Sequence, residues 1–355
     1  MQYTKSDLSS ALDLAGHPLI ELGDLRGSLL ILPYGARVLG LFSISSENFY
    51  WVNSMLVNAM DAKTFFTSAG WKNSGGDRTW IAPEINLFVK DSNDPWNSYD
   101  VPASIDPGNY SIHSDNGALM MINHADITFH NLKKESKVEI KKVIRLAENP
   151  FCYEKNAQKI IQNVEYIGYE QCTSLRLLSM QEEGIRLGIW NLIQLPASGY
   201  IIIPTVTKSQ PYDYFEKTTS SHIHIAPRYI RFLIDGKERH KIGIKAASLV
   251  GRIGYIRSAE NGKKSLLVRN FPINPSGKYV DTPWDNPSDF GYAIQCYNDD
   301  GELGKFGEME YHTPAIGYET KMDSYEDRSQ IWAFWGDGKS IDNICRYLLG
   351  SKFSK

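Results

Sequence analysis

GEMEYHTPA, residues 307–315, sets two carboxylates and an imidazole at every second position near the C-terminus. Read as a strand, it puts Glu308, Glu310 and His312 on one face and Met309 and Tyr311 on the other. A strand buried on both sides has little use for three ionisable groups on one face, because each uncompensated charge taken out of water is costly. Two settings remain: a solvated outer face, or a cleft that handles a polar ligand. The rest of the chain favours the cleft.

Working outward, apolar strands and turns dominate. SLLILPYGARVLGLFSI (28–44) reads as two strands about a Pro-Tyr-Gly turn, and NFYWVN (48–53) as a further aromatic strand end. WKNSGGDRTWIAPE (71–84) breaks the pattern with Gly75 and Gly76 ahead of Arg78, Trp80 and Glu84. Paired glycines allow backbone paths closed to other residues, so this cluster is a candidate binding segment; a tight turn with Arg78 paired to Asp77 or Glu84 is the alternative. Residues 91–118, rich in Asp, Asn, Ser, Pro and Gly, read as a long loop serving a site. Strands resume in KVEIKKVIRLAE (137–148), in IIQNVEYIGYEQCTSLRLLSM (160–180), and in GIRLGIWNLIQLPASGYIIIPT (184–205), two strands joined at Pro196–Gly199.

In SSHIHIAPRYIRFLIDGKERHKIGIKA (220–246), His222 and His224 share one face of an alternating stretch. Two histidines so spaced can ligate a metal, but no third ligand stands at a recognisable spacing, so no metal is expected; ligand contact or general acid work fits them better, and satisfaction by local backbone and solvent is the alternative. KKSLLVRNFPI (263–273) and GYAIQCYNDD (291–300) continue the strands, with a hairpin-like turn at Asn298–Gly301. Only SIDNICRYLLG (340–350) reads as a helix, its Ile341, Ile344, Cys345, Leu348 and Leu349 forming one stripe, with Ser340 placed to cap and Gly350 to stop it.

The chain has 355 residues, 42% of them hydrophobic, enough for a large core. Lys and Arg number 38 against 41 Asp and Glu, a formal charge of -3, which supplies no basic field for nucleic acid or an anionic membrane. A neutral ligand is the simplest expectation, and 20 Tyr with 8 Trp offer rings suited to β cores and to the apolar faces of sugars. Cys152, Cys172, Cys296 and Cys345 stand far apart, without a CxxC pair, and read as small buried hydrophobes. MQYTKSDLSS has no basic segment followed by an apolar run, and no stretch approaches a membrane span. A soluble chain is expected, cytoplasmic, or periplasmic if a signal peptide has been trimmed away. Many strands and one helix give an all-β class, a large antiparallel sandwich in a single domain over residues 1–355.

The order of ILPYGARVLGL, NFYWVN, GGDRTWIAPE, IWNLIQLPASGYIIIP, GEMEYHTPA and SQIWAFWG resembles the landmark series of the galactose mutarotase-like superfamily, closest to bacterial branches without an assigned activity. The likeness runs from about residue 28 to residue 336 as order and spacing. It implies a β-supersandwich of two bent antiparallel sheets with a carbohydrate site on a concave face. In aldose 1-epimerases of this fold a carboxylate near the C-terminus takes the proton from the anomeric hydroxyl while a histidine protonates the ring oxygen. Glu310, or Glu308, matches that carboxylate, and Arg78 resembles the hydroxyl-binding arginine of the glycine-rich loop. The family's acid histidine lies mid-chain beside aromatic strands, where GIRLGIWNLIQL, with its Trp190, has none; His222 and His224 lie further on. The resemblance thus implies sugar recognition, through Arg78, Trp80, Glu84, Trp190, Glu308 and His312, with no cofactor. Epimerase catalysis by Glu310 with His222 or His224 is the alternative. The oligomeric state stays open.

Overall fold

A computed structural model of the chain describes residues 3–180, 182–286 and 288–350. Two large antiparallel sheets make up most of it. The first, the site sheet, runs in the order Ile20–Asp24, Gly27–Leu32, Arg37–Ser43, Asp77–Ala82, Arg186–Pro196, Phe306–His312, Ile294–Asn298, His240–Ile244 and Tyr212–Asp213, with Ile316–Gly317 paired off this path to the Arg186–Pro196 strand. The second, the backing sheet, runs Ile223–Ile225, Tyr229–Ile234, Gly199–Pro204, Arg252–Ser258, Lys263–Asn270, Ser324–Asp337, Val164–Leu177, Lys134–Leu146, Ala118–Phe129 and Ser111–Asp115. The fold is galactose mutarotase-like, all-β with a short C-terminal helix.

Alternation decides which side chains lie between the layers. Leu29, Ile31, Val38, Ile193, Met309 and Tyr311 of the site sheet meet Ile201, Phe232, Leu267 and Ile331 of the backing sheet in one buried core. On Phe306–His312, Met309 and Tyr311 therefore face inward, and Glu308, Glu310 and His312 face away from the backing sheet. The strands on either side of Ala197 and Ser198 do not pair with each other: Arg186–Pro196 belongs to the site sheet and Gly199–Pro204 to the backing sheet, so the chain crosses between layers there.

The outer faces are covered unequally. Gly338–Leu349 lays Ile341, Ile344, Cys345, Leu348 and Leu349 on Ile202, Ile256, Leu266, Val268 and Phe334 of the backing sheet. It starts two residues earlier than the Ser340 cap read from the sequence. Asp337 takes the cap instead, its carboxylate accepting from the N–H groups of Lys339 and Ser340, and Gly350 ends the helix at φ 65°. Among the described residues this helix is one of few: Glu84–Leu87 and Ala157–Ile160 are single turns, and two longer helices lie where the sequence reading placed none. Lys5–Leu14 and Ala59–Thr67 pack Leu8, Leu12, Ala62 and Phe65 on Leu30, Leu32, Leu39 and Phe42 at one end of the site sheet. The first is started by a capping box in which Thr4 and Asp7 satisfy each other's backbone N–H. NFYWVN is likewise corrected: it forms no strand and contributes one bridge, Val52 to Gly75. No helix among the described residues is long and apolar enough to cross a membrane.

Candidate functional site on the outer face of the site sheet

Beyond the area covered by those two helices, the outer face of the site sheet carries charge. Register places Arg78 and Trp80 beside Leu192 and Trp190, Trp190 beside His312, Glu308 beside Gln194, and Gln295 and Tyr297 beside Glu310 and Glu308, all pointing the same way. Lys241, opposite Tyr297, extends the row. Gly75 (φ 96°) and Gly76 (φ 77°) deliver Arg78 to this face: a Cβ at either would come within 2.3 and 2.4 Å of the carbonyl oxygens of Trp51 and Val38, a clash only glycine avoids. The loop that leads into Phe306–His312 is equally determined, since the Asp299 carboxylate accepts from the N–H groups of Gly301, Gly304 and Lys305.

Two charged groupings meet here. Arg78 Nη2 donates to Glu308 Oε1 at 3.0 Å and Gln194 Nε2 donates to the same oxygen at 2.9 Å, with the guanidinium 4.1 Å from the Trp80 ring centroid. Lys241 Nζ stands 3.8 Å from Glu84 and 3.9 Å from Glu310, and 5.2 Å from the Trp190 ring centroid. Asp281 closes this second grouping, accepting from the Glu84 N–H at 2.9 Å and from Gln295 Nε2 at 2.5 Å. Four carboxyl groups thus surround two cations, and burial pushes the most enclosed of them, Glu310, up to about 8, with Glu308 and Glu84 adding to the rise and Lys241 opposing it. Glu84 is raised for the same reason. Lys241 is held charged: its carboxylate neighbours, Glu310 first, outweigh the burial that alone would lower it. Burial pushes His312 down to about 4, so its ring is neutral at pH 7.

The aromatic groups form a continuous surround. Trp80 packs on Trp71, Phe88 and Trp190, and Trp190 stacks on His312 with centroids 5.3 Å apart. Trp71 and Trp80 both donate through Nε1 to Asp106 Oδ2 at 2.9 Å, and Arg37 Nη2 donates to the same oxygen, which anchors the long loop read at 91–118. Above the charges, Tyr99 donates to Glu84 at 2.9 Å and stacks with Trp284, which meets Trp96, which in turn meets Phe215. Three loops therefore supply a rim whose outermost ring, Trp96, is 61% exposed.

Arg78, Trp80, Glu84, Trp190, Glu308, Glu310 and His312 are brought together. His222 and His224 are not part of this grouping. His222 contacts Asp235, Glu238 and His240, and His240 points to the opposite face of its strand from Lys241; His224 is exposed on the Ile223–Ile225 edge strand near Tyr229. Lys241, Asp281, Gln295 and the ring of Trp284 are members that sequence reading did not single out. Lys241 carried a usable signal, a lysine alternating with Ile242 and Ile244 of a core strand.

With the geometry in place, comparison with known proteins is informative about the fold. The model of the family of unknown function DUF6786 matches residues 15–355, and the chain belongs to that family. No curated protein sequence matches. Among solved structures, a protein provisionally assigned as an aldose 1-epimerase from Escherichia coli K12 aligns with a TM-score of 0.53 at 8% identity, covering 90% of this chain and 99% of its own. A galactose mutarotase-like protein from Clostridium acetobutylicum aligns at 0.48 and 13%, covering 90% and 96%. Galactose 1-epimerase from Lactobacillus acidophilus NCFM aligns at 0.41 and 10%, covering 95% and 98%. At these identities the likeness concerns the fold alone.

Proposed function

We propose that this member of DUF6786 recognises a sugar on the outer face of the site sheet, beneath the rim of Trp96, Phe215 and Trp284. The supporting observation is a set of unpartnered polar atoms: Glu310 Oε1 and both ring nitrogens of His312, in side chains 0% and 2% exposed, have no hydrogen-bond partner. Neighbouring sugar hydroxyls, each able to donate and to accept, suit a protonated carboxyl beside a neutral imidazole. The indoles of Trp80 and Trp190 supply apolar faces, and Arg78, Glu308 and Glu84 reach further hydroxyls. Because the charged floor is buried, entry requires the three aromatic loops to part.

Epimerase chemistry is a second reading, favoured by the Glu310 carboxyl at about 8. As base it must be ionised, which happens only toward alkaline pH. The proton for the ring oxygen then lacks a ready source: Lys241 holds its proton too firmly and His312, near 4, carries none to give. Recognition therefore ranks first. Tryptophan fluorescence titration with glucose, galactose and related aldoses reports binding, which Arg78→Ala weakens; absence of binding to every aldose and glycan tried counts against the reading. Polarimetry on the same samples separates the two. Recognition alone leaves spontaneous mutarotation unchanged, whereas an epimerase accelerates it increasingly as pH rises through about 8 and loses the acceleration in Glu310→Gln.

A further inference from the structure

Sequence reading dismissed a metal because His222 and His224 lacked a third ligand. The structure gives His222 different neighbours. His222 precedes the Ile223–Ile225 edge strand of the backing sheet, Glu238 lies in the turn that leaves that sheet after Tyr229–Ile234, and His240 opens the His240–Ile244 strand of the site sheet. One ligand atom from each lies within 4.8 Å of the others. We propose that His222, Glu238 and His240 bind one divalent transition-metal ion, zinc being the best match, which pins the two sheets together where the chain crosses between them.

The donor set comes first. Two imidazoles and one carboxylate suit zinc, and a tetrahedral ion with bonds of about 2.0–2.1 Å spaces its ligand atoms roughly 3.3–3.5 Å apart. Glu238 Oε2 stands 3.3 Å from His240 Nε2 and 3.7 Å from His222 Nδ1, near that spacing before any ion draws the groups in. Both imidazoles are held at 5% exposure with ring centroids 4.7 Å apart, while the Glu238 side chain is 57% exposed, which leaves a path from solvent and room for a water as fourth ligand.

The surroundings of His222 add an independent argument. Its Nε2 faces Asp235 Oδ2 at 3.3 Å, and Asp235 Oδ1 is fixed by Asn298 Nδ2 at 2.9 Å and the Lys237 N–H at 3.1 Å. A carboxylate behind the non-ligating nitrogen sets the tautomer that turns the lone pair of Nδ1 toward a metal. A neutral imidazole has one N–H; with Nε2–H given to Asp235, the Nδ1 lone pair is left facing Glu238 and the hydroxyls of Thr219 and Ser221, and a cation there would bind both that lone pair and the carboxylate. Thr219 Oγ1, 2.9 Å from Nδ1, is the group to be displaced, and it has Ser221 Oγ at 2.7 Å as another partner. His240 Nδ1 is buried without a partner, so nothing within the protein commits that ring to another role.

The test uses untagged, chelator-stripped protein titrated with Zn²⁺ or Co²⁺ alone. Expected are uptake of one ion per chain, four-coordinate Co²⁺ absorption bands, and a melting temperature that rises with free Zn²⁺. Glu238→Ala, at an exposed turn position that leaves the core intact, should weaken Co²⁺ affinity tenfold or more, as should Asp235→Asn through its loss of the carboxylate behind His222. His240→Ala should abolish the bands. Absence of uptake by folded wild type overturns the proposal, and so does uptake unaltered by Glu238→Ala, which would place the ion elsewhere.

Discussion

Asp77 and Arg78 are consecutive residues of one strand, both buried, both ion-paired, and they serve different networks because alternation sends them to opposite faces. Asp77 points between the sheets, where Arg269 Nη1 donates to it at 3.0 Å and Tyr169 at 2.6 Å, with Tyr50 behind Tyr169 at 2.7 Å. There the Asp77–Arg269 pair, with buried Lys142 and Asp327 beside it, sets two carboxyls against two cations, and Asp77 outweighs the burial that alone would lower Arg269. Arg78 points outward into a group in which carboxyls outnumber cations, Glu310 is pushed up to about 8, and neither ring nitrogen of His312 has a hydrogen-bond partner. The inner network is matched and joins two layers. The outer one is unbalanced, with more carboxyls than cations, the kind of grouping in which pKa values shift and on which the proposed recognition rests.

Removing one member of the inner pair should have the largest effect on stability. Arg269→Met leaves Asp77 ionisable at 0% exposure and should cost about 3–5 kcal/mol in denaturant unfolding. The same change one strand face over, Arg78→Met, should cost about 1–3 kcal/mol, since the Glu308 side chain keeps its Gln194 hydrogen bond and is 12% exposed. It should, however, remove sugar binding while the folded Arg269→Met protein retains it. Equal stability losses with unchanged binding in both would erase the distinction between the faces.

The contrast is only partly visible in the sequence. Strict alternation in GEMEYHTPA and around Trp190 is legible because a period of two leaves no freedom about which residues share a face. Gly75 and Gly76 mark the delivery of Arg78 because no other residue fits their backbone. Lys241 and Asp281 stayed hidden, since their partners Glu84, Glu310 and Gln295 come from distant segments and only sheet order brings them together. His222 paired in sequence with His224 but in space with His240, because the hairpin between them folds one across the other. The Lys5–Leu14 helix was missed for a local reason: only Leu8, Ala11 and Leu12 of it are buried, a stripe too short to stand out.

Glu310→Gln sharpens the comparison through pH. A carboxyl raised from 4.5 in the unfolded chain to about 8 when folded binds more protons in the native state between those values. Its stabilising contribution is present below pH 4.5 and is lost as pH rises through about 8. The amide does not titrate, so the variant should fall less steeply than wild type in chemical unfolding between pH 4.5 and about 8. A parallel pair of curves would mean that Glu310 is already ionised across that interval.

His312→Phe should have the smallest effect on folding, and that is its value. Neither ring nitrogen has a partner, so the substitution breaks no hydrogen bond, and the stacking on Trp190, with centroids 5.3 Å apart, suits a phenyl ring. At neutral pH the change in unfolding free energy should stay within about 1 kcal/mol, as expected where no satisfied polar group is lost. In acid the variant should gain. The histidine is lowered from 6.5 when unfolded to about 4 when folded, so the unfolded chain binds the extra proton first and wild type loses stability as pH falls through that interval. Phenylalanine has no such loss, and the two melting curves should separate progressively below pH 6.5. Binding should move the other way, since a buried imidazole kept without a partner earns its place only through a ligand that supplies one. A His312→Phe protein that is acid-resistant yet binds sugar as tightly as wild type would make His312 a packing residue and leave the unpartnered oxygen of Glu310 as the remaining mark of the site.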